Sequence, residues 1–175
     1  MDQVIPGLYL SSKNEALNHE KLIAAGVQAV VTCCTYFEIP VSMQHSQLSY
    51  HRVDVEDISC EPINEYFDGA LDFIELSLQK NQPTLVHCKS GVSRSATIIL
   101  AFLVAKKGMS LHDAFQALQK ARPKICPNLG FMEQLCEFEE SVTGKPATVC
   151  MLKYIDWFQA DTEVRLAGPP DLSPF

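Results

Sequence analysis

The run His87-Cys88-Lys89-Ser90-Gly91-Val92-Ser93-Arg94-Ser95 concentrates the reactive residue types of this chain. It follows the short apolar segment Thr84-Leu85-Val86 and precedes a strongly apolar stretch with helical character. Where a loop enters a helix, backbone N–H groups can converge on an anion. Gly91 allows a backbone conformation that a side chain would obstruct. Curling the residues between Cys88 and Arg94 could bring a sulfur and a guanidinium to one tetrahedral oxyanion. Arginine suits that task because its planar fork binds two phosphate oxygens at once. A free thiol has a pKa near ~8.5, and helix N-termini lower it to roughly 3.5–7.5, so Cys88 reads as a thiolate ready for in-line attack on phosphorus. Ser95 is placed to donate a hydrogen bond to the departing thiolate. His87 reads as a brace for the loop rather than a base.

Two blander readings compete. An inert core thiol at Cys88 would sit poorly in a Gly-containing polar loop that opens a helix. A nucleotide-binding loop would need a Gly-Lys-Ser/Thr ending, which is absent. A phenolate leaving group with a pKa near ~10 departs poorly, so a carboxylic acid should protonate it. The upstream candidates are Asp54, Glu56 and Asp57. Asp54 falls on the polar face of an expected strand, whereas Asp57 begins the connector beyond it.

These residues need a scaffold, and the pattern around them supplies one. A first strand is expected over 4–10, broken by Pro6-Gly7, and Ser12-x-x-Glu15 is a capping-box pattern opening a helix over 13–25, closed by Gly26. Residues 27–32 read as a short buried strand, 35–49 as loop, and 50–55 as a strand buried on one face. Phe67, Ala70, Leu71, Ile74 and Leu78 form the core-facing stripe of a helix over 63–79. Residues 84–86 suit the centre of a parallel sheet, and a buried helix follows to about Ala105. Ser110 and Asn128 read as N-caps of two further helices, and Pro123 stops the first. Residues 151–158 are apolar enough to dock as one more helix before a Gly- and Pro-containing end that reads as frayed. The alternation implies an α/β fold with a mainly parallel central sheet flanked by helices.

At 175 residues, with 47% hydrophobic and 20% charged, the composition is that of a globular chain. A net charge of −7 argues against a nucleic-acid or acidic-membrane binder. Lys106, Lys107, Lys120, Arg122 and Lys124 nevertheless cluster, either beside an anionic substrate or on a solvated face. Seven scattered cysteines with no C-x-x-C pair argue against a zinc site and for reduced thiols. Cys60 and Cys126, in expected loops, are candidates for a disulfide with Cys88 on oxidation. No secretory or membrane-spanning pattern is evident, so a soluble protein of the cytoplasm, with access to the nucleus, is expected.

H-C-x5-R-S, filled here as HCKSGVSRS, resembles the signature loop of the protein tyrosine phosphatase superfamily. The stretch from Val4 to about Glu140, with Ala121-Arg122-Pro123 and Pro127-Asn128-x-Gly130-Phe131 downstream, is similar to the small atypical dual-specificity phosphatases. The resemblance implies that fold, a catalytic domain over 1–142, and an extension over 143–175 with one docked helix and a flexible end. It implies hydrolysis of phosphotyrosine and phosphoserine/phosphothreonine through a cysteinyl-phosphate, with no cofactor and no metal. Cys88 would be the nucleophile, Arg94 the phosphate clamp, Ser95 the thiolate stabiliser, and Lys89, Ser90, Gly91, Val92 and Ser93 the rest of the phosphate loop. Among the three acids the family pattern selects Asp57, and His87 and Asn128 become supporting residues. The implied partner is a phosphoprotein, such as a kinase-pathway component, with no nucleic acid and no membrane anchor; nothing in the pattern fixes the oligomeric state. The loop holds Lys89 as its single lysine, which disfavours a phosphoinositide, and the chain is too short for an added kinase-docking domain.

Overall fold

The computed structural model describes residues 1–36 and 48–174. In chain order these form β1 (Asp2–Ile5), β2 (Leu8–Ser12), α1 (Lys13–Ala16), α2 (His19–Ala24), β3 (Ala29–Thr32) and β4 (Ser49–Arg52). A 3-10 turn (Ile63–Tyr66) leads into α3 (Phe67–Gln79), followed by β5 (Thr84–Cys88) and α4 (Arg94–Lys107). The rest is helical: α5 (Leu111–Ala121), α6 (Leu129–Thr143), α7 (Met151–Gln159) and α8 (Thr162–Leu166). The sheet runs β1-β2-β5-β3-β4. β5 pairs in parallel with β2 and β3, β3 in parallel with β4, and only β1 is antiparallel. The α/β fold with a mainly parallel sheet is therefore as the alternation implied.

β5 is buried along its whole length, as a strand covered on both faces must be. Val86 joins Leu8, Leu10 and Val31 in the larger core, while Leu85 joins Val30, Ala16 and Leu22 in a smaller one beneath α1 and α2. Successive side chains point to opposite faces, so one strand serves both layers. α4 is buried from Arg94 to Val104 because β5, α3, α5 and α6 enclose it. Each fully buried Ile, Leu or Phe on it contributes roughly 1.5–3 kcal/mol. The junction between β5 and α4 is thus held between a buried strand and a buried helix.

Several expectations shift. The segment 4–10 is a hairpin of β1 and β2 turning at Pro6-Gly7, not one interrupted strand. The helix over 13–25 splits because Asn18 caps a second helix, accepting the Lys21 N–H at 3.0 Å. The strand over 50–55 ends at Arg52. Val53 and Val55 stay fully buried, but the Val55 carbonyl turns away to meet Arg94. The expected loop over 35–49 lies largely outside the described residues.

The C-terminal end also departs from a flexible tail. α7 stacks Tyr154 and Trp157 edge-on against Phe115 of α5, with ring centroids 5.8 and 5.4 Å away. Tyr154 also donates to the Pro127 carbonyl at 2.6 Å. Beyond α8 the chain folds back. Leu172 is fully buried and its carbonyl accepts the Cys150 N–H at 2.7 Å. Gln116 and Gln119 of α5 hold the Pro170 and Arg165 carbonyls at 2.6 and 3.0 Å. Proline content suggested fraying, but a single apolar anchor with backbone partners docks the segment. Among the described residues no helix is long and apolar enough to cross a membrane.

Candidate active site

Cys88 ends β5, paired in register with Ser12, and Arg94 begins α4. Cys88 is 1% exposed. Its Sγ accepts the Gly91 N–H at 3.2 Å and the Ser95 Oγ–H at 3.1 Å. Burial alone pushes the Cys88 pKa up. The hydrogen bonds from Ser95 and the Val92 backbone, with the Arg94 charge, more than offset it and leave the pKa below the ordinary thiol value. Among the described residues Cys33 and Cys136 have no such donors, and burial drives both thiols up, Cys136 to about 12.

The loop between Cys88 and Arg94 is anchored from outside, carbonyl by carbonyl. The Lys89 carbonyl accepts the Lys13 N–H at 3.2 Å, and the Val92 carbonyl accepts the Cys126 N–H at 2.9 Å. Between them the Ser90 and Gly91 carbonyls accept Arg122 Nη2 and Nε at 3.2 and 2.7 Å. Because a peptide unit is planar, tying each C=O outward turns the following N–H inward. Arg122 is itself locked: it is buried, hydrogen-bonds Asp2 through Nη1, and lies 3.6 Å from Glu15 through Nη2. Gly91 has φ +66°, and a Cβ there would stand 2.4 Å from the Ser11 carbonyl oxygen and 2.7 Å from Arg122 Nη2. No other residue type allows this approach of the loop to β2 and to its brace.

Arg94 is buried and reaches across the site. Nη1 donates to the Val55 carbonyl at 3.2 Å, while Nε has no hydrogen-bond partner among the described residues and lies 3.7 Å from Asp57 Oδ2. Asp57 is held from its far side by Asn128, whose Nδ2–H donates to Oδ1 at 3.0 Å. Asn128 also caps α6 through Oδ1 to the Phe131 N–H at 3.0 Å, and its own N–H donates to Ser93 Oγ at 3.1 Å. One residue thus joins the acid connector, the signature loop and a helix. Gly130 permits the approach, since a Cβ there would overlap the Ser59 carbonyl at 2.0 Å. Asp54 instead pairs with exposed Arg52 at 2.8 Å, and Glu56 is exposed, so among the three acids Asp57 alone meets Arg94.

His87 is fully buried, with Nε2 2.9 Å from Thr32 Oγ1 on neighbouring β3. Burial lowers its pKa to about 4, so it is neutral at pH 7 and adds no positive charge beside the thiol. The neutral form is what the fold accepts. The stability it carries is whole above the unfolded pKa of 6.5 and is lost as the pH falls through the folded value. Between pH 6.5 and 4 the loss reaches on the order of 3 kcal/mol. Thermal unfolding across that range should therefore fall less steeply for His87→Gln than for wild type.

The clustered cations separate. Lys106 and Lys107 pair with Asp72 and Glu75 of α3 at 2.7 and 3.9 Å, away from the loop. Arg122 is neither a surface residue nor free for substrate: it is the rear brace. Lys124 is exposed beside the loop. All seven thiols are free. Cys60 is exposed and Cys126 accepts a hydrogen bond from Arg165 at 3.4 Å. Burial raises the pKa values of Cys33 and Cys34, which the sequence did not single out, and the nearby Cys88 charge adds to the rise.

Residues 8–141 match the family described as dual specificity phosphatase, catalytic domain. Dual specificity protein phosphatase 14 of Mus musculus is 38% identical over 143 residues, covering 82% of this chain and 71% of the relative. Human dual specificity protein phosphatase 16 is 35% identical over 82% of this chain, which spans only 21% of that longer protein. The crystal structure of human DUSP28 superposes with a TM-score of 0.78 at 33% identity, over 82% of this chain and 99% of that one.

Proposed function

The chain belongs to the dual specificity phosphatase family of the protein tyrosine phosphatase superfamily, and from that membership we propose a cysteine-dependent phosphatase that hydrolyses phosphotyrosine and phosphoserine/phosphothreonine in proteins. The observation that carries this reading is the outward tethering of the four successive carbonyls at Lys89, Ser90, Gly91 and Val92. It leaves an inward ring of N–H groups over a thiol of lowered pKa, with a buried guanidinium whose Nε–H is unspent.

A phosphoryl group seated there accepts hydrogen bonds from the amides and the Arg94 fork, which gather around the equatorial oxygens as charge develops. The Cys88 thiolate attacks phosphorus, the P–O bond to the leaving group breaks, and Asp57 gives its proton to the departing oxygen. In the second half water attacks the cysteinyl-phosphate and passes a proton back to Asp57. The sulfur then leaves as a thiolate stabilised by Ser95. Residues 1–142 form the catalytic unit in this reading, and 143–175 an extension docked on α5. The proposed substrate is a phosphoprotein, such as a kinase-pathway component, in the cytoplasm or nucleus, where thiols stay reduced.

The test is a panel of one aryl phosphate, phosphotyrosine, phosphoserine and phosphothreonine peptides, and phosphoinositides. Turnover of the aryl phosphate and of both peptide classes supports the reading, whereas hydrolysis of phosphoinositides alone overturns it. Arg94→Lys is expected to lower kcat/KM on the aryl phosphate by roughly 10²–10³-fold, because an ammonium cannot contact two oxygens while holding the Val55 carbonyl. Ser95→Ala removes a donor to Sγ and should raise the Cys88 pKa. The pH profile of Cys88 alkylation by iodoacetate then moves to higher pH, and an unmoved profile would assign the lowered pKa to the loop amides and Arg94 alone.

A further inference from the structure

Beside the signature loop lies a cleft of about 190 Å³ walled by Val92, Lys124, Cys126, Thr162, Arg165 and Leu166. Val92 belongs to the loop itself and Arg165 to α8, outside the residues 8–141 shared with the family. Two cations and no carboxylate line it. Among the described residues neither Lys124 nor Arg165 is in an ion pair. Arg165 is held only loosely. Nη1 donates to the Cys126 thiol and Nη2 to Thr162 Oγ1, both at 3.4 Å, and the buried Nε has no hydrogen-bond partner. A thiol is a weak acceptor, so this guanidinium keeps donor capacity that an oxyanion would use better. Asp161 and Glu163 flank Thr162 in the chain but are exposed and do not line the cleft, and Asp57, whose charge reaches the Cys126 sulfur, already lies 3.7 Å from Arg94.

We propose that this cleft is a substrate subsite, in which Lys124 and Arg165 receive a second anionic side chain, phosphorylated or acidic, of the phosphoprotein being hydrolysed. The inference rests on the phosphatase reading and adds to it a residue from the C-terminal extension. Val92 is shared by the loop and the cleft, so the two anions lie on opposite sides of one loop wall. An extended chain advances about 3.3 Å per residue, so the second anion belongs about two or three residues from the scissile one. Apolar Val92 and Leu166 contact the carbon stem of the bound side chain, and the cations meet its tip. The size admits one side chain, not a second peptide strand. Arg165 lies outside residues 8–141, so this preference draws on the extension as well as on the shared domain.

The experiment uses the full chain and phosphotyrosine peptides of one sequence. Serine, phosphoserine or glutamate is placed at each of the three positions on either side of the phosphotyrosine. At one or more positions kcat/KM should rise about tenfold for the anionic peptides over the serine peptide, and the gain should shrink as salt is raised. Arg165→Ala and Lys124→Glu should each reduce the gain, and together abolish it, with aryl phosphate turnover unchanged. Lys124 is exposed and its side chain bonds no other described residue, so its substitution tests the cleft without disturbing the docking of α8. Normal aryl phosphate turnover with no gain at any position, or a gain that both variants keep, overturns the subsite and leaves the phosphatase reading intact. If wild type fails on the aryl phosphate, the phosphatase reading falls. Calorimetric binding of the same peptides then judges the cleft alone, equal affinities for serine and anionic peptides overturning it.

Discussion

Cys88→Ser is expected to abolish turnover of an aryl phosphate while leaving the phosphate site able to bind. Serine is nearly the size of cysteine, and the Gly91 N–H and Ser95 hydroxyl that now meet Sγ at 3.2 and 3.1 Å would meet Oγ instead. What changes is ionisation. The loop holds a thiol below its ordinary pKa against the upward push of burial, and the same field acting on an alcohol leaves it protonated. Removing a covalent nucleophile costs on the order of 10⁵–10⁶-fold in kcat where the group acts as part of a unit. Phosphopeptide binding, measured by calorimetry, should stay within severalfold of wild type because the tethered amides and Arg94 are unchanged. A variant that keeps a tenth of the wild-type rate would remove Cys88 from the chemistry. The same substitution has a stability signature. A group whose folded pKa is depressed stabilises the fold above its unfolded pKa and loses that contribution as the pH falls through the folded one. The variant should therefore fall further below wild type in Tm at alkaline pH than at neutral pH.

Local signals account for what the sequence revealed, and their range explains what it hid. The strand before Cys88, the helix after Arg94 and the caps at Ser110 and Asn128 are each written within a few residues, as periodicity or as capping chemistry. Arg122 is different. Its partners are Gly91, Ser90 and Asp2, the last 120 positions away, so a cation in a basic stretch read as a surface residue. The clue available was its setting: it follows α5 directly, between buried Leu118 and Ile125, where a solvated side chain is hard to place. Asn128 was read as a cap or a loop brace. It performs both tasks and also holds Asp57 across 71 positions, which no local pattern encodes. The buried end at Leu172 was hidden by composition, because Gly168 and the prolines around it signal a break in helix but say nothing about docking. Cys33 was hidden for a topological reason: β3 lies beside β5 in the sheet, although dozens of residues separate them in the chain.

Asp57→Asn should separate substrates by the quality of their leaving groups. The carboxyl group stands 3.7 Å from Arg94 Nε through one oxygen, and Asn128 fixes its other oxygen at 3.0 Å. An amide of the same shape can still accept from Asn128 through its oxygen, so the connector should keep its place; what it cannot do is deliver a proton. A phenolate or alkoxide then has to leave as a strong base, and the loss of general acid catalysis costs roughly 10²–10⁴-fold. A nitrophenolate leaves readily as an anion and should lose far less. The expected result is a steep dependence of kcat/KM on leaving-group pKa in the variant and a shallow one in wild type, read from a series of aryl phosphates. Asn128→Ala should produce a weaker version of the same steepening, because it frees the carboxyl group without removing it. Equal losses across the series would show that Asp57 holds Arg94 in place and protonates nothing. The acid would then have to be sought outside the three upstream carboxylates, since Asp54 is committed to Arg52 and Glu56 faces solvent.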